Sequence, residues 1–328
     1  MKKITVFGGG TGTYVVLSGL KKYPLNLGVV VTMMDSGGST GRLRDQLKVL
    51  PPGDLRQCLV ALSEAPLLWR KLFLYRFEKG DLAGHNFGNI FLSALEKNCK
   101  NYHEVLRMAA FILKVKGEVL PVTFEQVEIG VRYENGKVVF GEKNIDTNYQ
   151  EKSRVVDVFI KPKTAKTNKL AERRILDSDV LIIAPGDLYS SVIPIFKFQG
   201  IKKAIKKSRA KIFYIMNLMT KSGQTSNYKA SDHIFELEKY LERKIDVIVL
   251  NKRAIPQEVL DWYQKEGEKP VVDDLKNFNF FAKIIKDDIL DTRFYGKDKN
   301  EKFVDKKVRS LLRHDPNKLA KVLLKNIC

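Results

Sequence analysis

The chain repeats one local pattern: a short apolar run ends in a turn rich in glycine and hydroxyl residues, and apolar residues at helical spacing follow. Residues 3–7 (KITVF) run into 8–12 (GGGTG), after which Val15, Val16 and Leu20 share one helical face. A second run, 28–34, ends at Asp35 and opens into 36–41 (SGGSTG). Later runs behave alike: 180–184 leads into 185–191 (PGDLYSS), 211–216 into Asn217, and 245–250 into Asn251. Two strands in series with a helix between them form a parallel pair. The expected fold is therefore α/β, a Rossmann-like and mostly parallel sheet with helices on both faces.

One stretch breaks the rhythm. From about 119 to 163 the residues alternate and are β-branched, with Glu134, Asn135 and Gly136 as a hairpin turn between 127–133 and 137–141. This reads as a small inserted antiparallel β-hairpin unit within a single Rossmann-like nucleotide-binding domain spanning 1–328. Asp54, after Pro51 and Pro52, is expected to cap a helix with Gln57 as its reciprocal partner. Residues 317–326 read as an amphipathic closing helix.

Composition narrows the partners. The 58 Lys and Arg against 38 Asp and Glu give a net charge of +20, which favours anionic ligands. No RNA- or DNA-binding motif accompanies the charge, so nucleic acid is not the expected partner, and the lysines of 202–211 fit a solvated helix face. Cys58, Cys99 and Cys328 lie far apart, without a disulfide or zinc pattern, which fits a reducing cytoplasm. No signal peptide or membrane-inserting run is expected. The sequence leaves homo-oligomerisation open.

Glycine at a strand end lets backbone N–H groups converge on phosphate oxygens at the start of the next helix. Gly8, Gly9, Gly10, Thr11 and Gly12 form one such loop, and Asp35, Ser36, Gly37, Gly38 and Ser39 a second. Gly186 and Asp187 sit at a third strand end, where an open α/β sheet places its ligand. An NAD fingerprint would require a glycine where Thr13 stands, and a Walker A loop would require Lys after Gly12. Ser39 also satisfies the spelling of a nucleophile elbow, with His233 or His314 as conceivable triad partners, although it suits phosphate binding equally. Asp35, Asp54 and Asp187 are candidates to hold Mg²⁺ on a pyrophosphate, against helix or turn capping as the plainer role. Arg42, Arg44 and Arg56 are candidates for phosphate charge, and Asn86 and Asn89 for a base, a sugar or loop closure.

Six ordered motifs, at 7–12, 35–44, 51–56, 84–89, 185–189 and 217–220, together resemble the bacterial gluconeogenesis-factor family, which is related to the 2-phospho-L-lactate transferases. The resemblance runs from Met1 to the segment Arg313, His314, Asp315. It implies a cytosolic regulatory protein that binds UDP-N-acetylglucosamine or a related UDP-sugar and bears on cell shape and gluconeogenic growth. The alternative it implies is a transferase using a nucleotide-diphosphate-activated donor. The resemblance also places Tyr189 and Asn217 in ligand-binding motifs and matches Tyr263 and Arg313 to UDP-sugar contacts, stacking for the first and phosphate pairing for the second. Two departures stand out: Ser36 occupies a position where the family often has a second acid, and Pro316 replaces a threonine that can follow the Arg-His-Asp segment.

Overall fold

The structure, a computed structural model, describes residues 1–292 and 312–327. Cys328 lies outside the described residues, and Cys58 and Cys99 are free thiols. Ten strands are described: β1 (Lys3–Gly8), β2 (Asn26–Val31), β3 (Glu118–Pro121), β4 (Glu128–Tyr133), β5 (Val138–Phe140), β6 (Val155–Lys161), β7 (Val180–Ile183), β8 (Lys211–Ile215), β9 (Val247–Asn251) and β10 (Lys283–Asp287). Seven of them form one sheet in the order β10-β9-β8-β7-β1-β2-β3, with every adjacent pair parallel. From β1 the chain builds outward one way through β2 and β3, then returns to add β7 to β10 on the other side. The order thus reverses between β1 and β7, where an open parallel sheet opens a crevice at its carboxyl edge.

The strands are apolar on both faces because helices cover both. Val180 and Ile182 enter one core with α1 (Gly10–Leu20) and the closing helix Pro316–Ile327, while Leu181 and Ile183 enter the other with the helices Gln199–Lys207 and Ala230–Leu241. This is the Rossmann-like α/β architecture expected from the recurring runs.

The β-rich stretch differs from expectation in its boundaries and size. β3, placed by its sequence texture at the start of the insert, is the edge strand of the main sheet, paired with β2 over Gly28 to Val31. The separate unit is the three-stranded antiparallel sheet β5-β4-β6, with the short helix Glu142–Asp146 between β5 and β6. Alternation alone could not divide the two sheets, because β3 is short and buried like its parallel neighbours. The second apolar run stops at Val31, and the helix after Pro51 begins at Pro52, so Asp54 lies inside the first turn of α3 (Pro52–Leu62) and forms no capping box with Gln57.

The amino edge of the sheet is held by Arg174, a buried cation from the helix Lys169–Leu176. Its Nε donates to Thr5 Oγ1 (3.1 Å), Nη1 to Asn26 Oδ1 (2.7 Å), and Nη2 to the Ile4 and Asn26 carbonyls (3.1 and 2.6 Å). The guanidinium passes over Gly28, where any Cβ would collide with it. Arg174→Ala removes these charge-assisted hydrogen bonds from the amino edge and is expected to lower unfolding free energy by about 3 kcal/mol, measured by urea titration, with the carboxyl-edge crevice unaffected.

Candidate functional site

The crevice at the strand-order reversal is a cavity of about 340 Å³. Its floor is the turn from β1 into α1, Gly8 to Gly12; one wall is the β7 exit at Pro185, Gly186 and Asp187, and another is the β8 exit from Asn217 to Lys221. Tyr263, Glu268, Arg313 and His314 close the far side, and Asp54, Glu142 and Asp146 reach in from α3 and the inserted unit.

Close backbone approach requires the glycines of the first turn. A Cβ on Gly9 would strike the Asp54 carboxylate, and one on Gly12 would strike the Pro185 carbonyl. Gly10 N–H donates to Asp54 Oδ1 at 2.8 Å, so Asp54 pins the start of α1. Asn217 clasps the neighbouring exit, accepting from Gly186 N–H (3.3 Å) and donating to the Gly186 carbonyl (2.8 Å). Two strand ends are thereby locked in register at the mouth of the site.

Carboxyl groups crowd this edge. Burial and the neighbouring Asp35 push Asp54 up to about 7, against the pull of the Gly10 N–H and Arg56. Burial, Asp35 and Asp146 push Glu142 up to about 10. Burial and Asp187 push Asp146 up to about 7, against Ser190 and Lys221. Burial also raises Asp35, although the Gly37 N–H and Thr40 hydroxyl oppose it. Like charges so close cannot all ionise, so the group holds protons at neutral pH. Lys221 shows the complement: burial disfavours its charge, but Asp187, Glu268 and Asp146 outweigh burial and raise it. Its Nζ lies 3.3 Å from Glu268 Oε1. His314 is held neutral, lowered to about 4 by burial, and its Nε2 has no hydrogen-bond partner among the described residues.

The second loop does not join this cavity. Ser39 is buried in the first turn of α2 (Gly38–Leu47), where its Oγ accepts from Asn86 N–H (3.2 Å) and Asn89 Nδ2 (3.3 Å) and pairs with His85 Nδ1 at 3.2 Å. Neither His233 nor His314 is its partner; His233 pairs instead with the Tyr214 hydroxyl at 3.3 Å. The nucleophile-elbow triad is therefore not assembled. Asn86 caps the helix Phe87–Asn98 by accepting from Asn89 N–H, so both amides close the loop rather than face the crevice. Ser36 ties the loop to the insert, donating its N–H to Glu142 Oε2 (3.1 Å) while its Oγ accepts from Lys143 N–H (2.9 Å). Gly37 N–H turns back onto Asp35 Oδ1 (3.0 Å), and Gly38 is exposed at the helix start.

The three candidate arginines are also engaged elsewhere. Arg42 Nη2 donates to the Ala83 carbonyl (2.9 Å), Arg44 pairs with Asp45 (2.8 Å), and buried Arg56 donates to the Phe73 carbonyl (3.1 Å). Tyr189 belongs to the core, its hydroxyl 2.7 Å from that of Tyr228. Tyr263 does line the crevice, but it is only 2% exposed and its hydroxyl accepts from Leu312 N–H (3.1 Å), which makes it a wall residue packed with Val259 and Leu290. Among the described residues no three His, Cys, Asp or Glu side chains converge as a metal-ligating group. The sequence reading missed Glu142, Asp146, Lys221, Glu268 and the cleft role of His314. The first two fall in a stretch whose only signal is β-texture, and nothing local marks them as site residues.

With this geometry in place, the relatives are decisive. The gluconeogenesis factor of Bacillus subtilis is 36% identical over 325 residues, covering 98% of this chain and 97% of that protein. The chain belongs to the gluconeogenesis-factor family. A second family member, the gluconeogenesis factor of Halalkalibacterium halodurans, is 39% identical over 275 residues, 83% of this chain and 84% of that one. A crystal structure of a Bacillus halodurans protein superposes with a TM-score of 0.88 at 35% identity, covering 98% of this chain and 99% of that one. Residues 4–290 match the 2-phospho-L-lactate transferase CofD family, which extends the gluconeogenesis-factor relationship to those transferases. Among the described residues of this family member, no helix is long and apolar enough to cross a membrane.

Two outcomes follow. An acid whose folded-state pKa is raised is stabilising to the fold while protonated, and that stability is lost as pH climbs from its unfolded value near 4 towards about 7 for Asp54 and Asp146. Asp146→Asn is therefore expected to raise the ligand-free melting temperature by about 1–3 °C at pH 8, with the gain shrinking to nothing at pH 4. For Tyr263, truncation to Ala is expected to cost about 3 kcal/mol in urea unfolding and Tyr263→Phe about 1 kcal/mol, since Phe keeps the ring and loses the hydroxyl that accepts from Leu312 N–H.

Proposed function

We propose that the crevice binds a UDP-sugar, UDP-N-acetylglucosamine in particular, and that the protein acts as a regulatory factor linking this ligand to cell shape and gluconeogenic growth. The observation that carries the reading is the pairing, across one cavity, of the start of α1, where Gly9 offers no side chain and Asp54 takes the Gly10 N–H, with the cations Lys221 and Arg313. Helix N–H groups and two cations from other elements form a cradle suited to a pyrophosphate. The crowded acids do not defeat it. Glu142, protonated up to about pH 10, is a hydrogen-bond donor rather than a charge, and Asp54 and Asp146 are only partly ionised near pH 7. The orphan Nε2 of neutral His314 suits a donating sugar or ribose hydroxyl. In this reading any Mg²⁺ arrives with the phosphates, held by at most two carboxylates.

One observation favours the transferase alternative. Asp54 and Asp146, with values near 7, are tuned as general bases would be, and they stand in the cavity itself. Phosphorus NMR of UDP-N-acetylglucosamine incubated with the protein and hydroxyl acceptors separates the two readings: the regulatory reading expects the donor to remain intact, and donor consumption that Asp54→Asn abolishes would establish a transferase.

At 100 times its Kd, UDP-N-acetylglucosamine is expected to add about 2.7 kcal/mol of stability, a melting shift of roughly 4 °C for a chain of this size. In calorimetry Arg313→Ala and Lys221→Ala should each weaken binding by roughly ten- to a hundredfold. Affinity should also fall as pH rises above about 7, because ionised Asp54 and Asp146 repel the pyrophosphate. A shift with NAD but none with any UDP-sugar would overturn the assignment.

A further inference from the structure

A second cavity, of about 870 Å³, lies where the inserted sheet meets the helix Gln199–Lys207 and the segment after β6. It shares no lining residue with the crevice. Seven of its seventeen lining side chains are cationic and two are acidic, a surplus of five, whereas the whole chain carries a surplus of twenty over 328 residues. Positive charge is therefore gathered here at several times its average density.

The two acids are already spoken for. Asp157 lies 3.6 Å from Lys197, and Glu172 lies 2.9 Å from Lys169. Arg132, Lys163, Lys166 and Lys203 have no carboxylate partner among the described residues. Lys161 rests over the Phe140 ring, 3.7 Å from its centroid. Phe159 contributes a half-buried aromatic surface on the outer face of the small sheet, in T-shaped contact with Phe140 at 5.3 Å. Half-buried Lys197 has its charge disfavoured by burial and by Lys202, with Asp157 only partly compensating, so added negative charge beside it would be favourable.

An ordinary solvated lysine face spreads its charges over a convex surface, where each is screened separately. These charges line one concave space whose volume falls in the range of small-ligand sites rather than the track of a polymer. We propose that this cavity is a second ligand site, for a small molecule bearing an oligophosphate chain, either inorganic or carried by a nucleoside that stacks on Phe159. The chemistry common to both sources is a run of three or more linked phosphates able to meet Arg132, Lys163, Lys166 and Lys203 together.

The test is calorimetric titration of the full chain with inorganic tripolyphosphate, ATP and adenosine, at two salt concentrations. Tripolyphosphate and ATP are expected to bind with salt-dependent affinity, and adenosine should bind far more weakly than either. Lys166→Glu with Lys203→Glu should weaken oligophosphate binding at least about tenfold. The control Lys321→Glu with Lys325→Glu, which makes the same change in net charge on the outer face of the closing helix, should leave it within about twofold. Because Arg313→Ala weakens any phosphate binding at the crevice, the cavity pair is also combined with it, and the pair should cause the same loss in that background. If ATP exceeds tripolyphosphate and Phe159→Ala removes the difference, the nucleoside-borne source is supported; equal affinities support the inorganic chain. The proposal is overturned if wild type binds neither anion, if the control pair loses as much as the cavity pair, if adenosine binds as tightly as ATP, or if the loss follows Arg313→Ala instead.

Discussion

The contact between the Asp54 carboxylate and the Gly10 N–H is the constraint around which the crevice is built. It joins the first turn of α1 to the first turn of α3, and it exists only because Gly9 presents no Cβ to Asp54 and Gly12 presents none to Pro185. The same contact brings a carboxylate to a helix N-terminus, where the backbone dipole favours negative charge, while Asp35 and burial resist that charge. Asp54 is thereby balanced near neutrality. The protonation of the neighbouring acids and the charge of Lys221 are set within the same crowded edge.

Much of this was legible in the residues. Apolar runs ending in glycine specified parallel strands, since only a strand covered on both faces can be apolar throughout, and β1, β7, β8 and β9 appear where those runs lie. The first loop, Gly186, Asp187, Asn217 and Arg313 all converge on the crevice as strand-end and motif reasoning placed them. Failures arose where one local spelling serves two purposes. The second loop is as glycine-rich as the first, yet its Ser39 turns inward to hold Asn86 and Asn89, because α2 packs against the helix they begin. Asp54 was legible as a helix-start residue and as a candidate site acid, but not as the clasp on Gly10, since that contact is set by tertiary packing across 44 residues. Tyr189 and Tyr263 show the limit for aromatics: both sit in or near ligand motifs, and only packing tells a core ring from a wall.

The second loop gains its meaning from the insert. Ser36 uses its N–H and hydroxyl to dock the helix Glu142–Asp146. On the opposite edge of the main sheet, Arg174 gathers three strands' worth of backbone and side-chain acceptors and charge partners, including Glu118 at 3.5 Å. Stability is concentrated at one end of the strands and frustrated charge at the other.

That Glu142 and Asp146 ride on a separate three-stranded sheet makes the acidity of the crevice an interchangeable part. The Rossmann-like frame supplies the first loop and the strand exits of the crevice, while the insert supplies two of the groups that decide how many protons the cavity holds. Exchanging the connection between β5 and β6 would retune the cavity from proton-holding to anionic or neutral without touching a strand of the main sheet. A lineage could therefore change which ligand the crevice prefers, or whether it turns that ligand over, by trading about five residues of a peripheral helix.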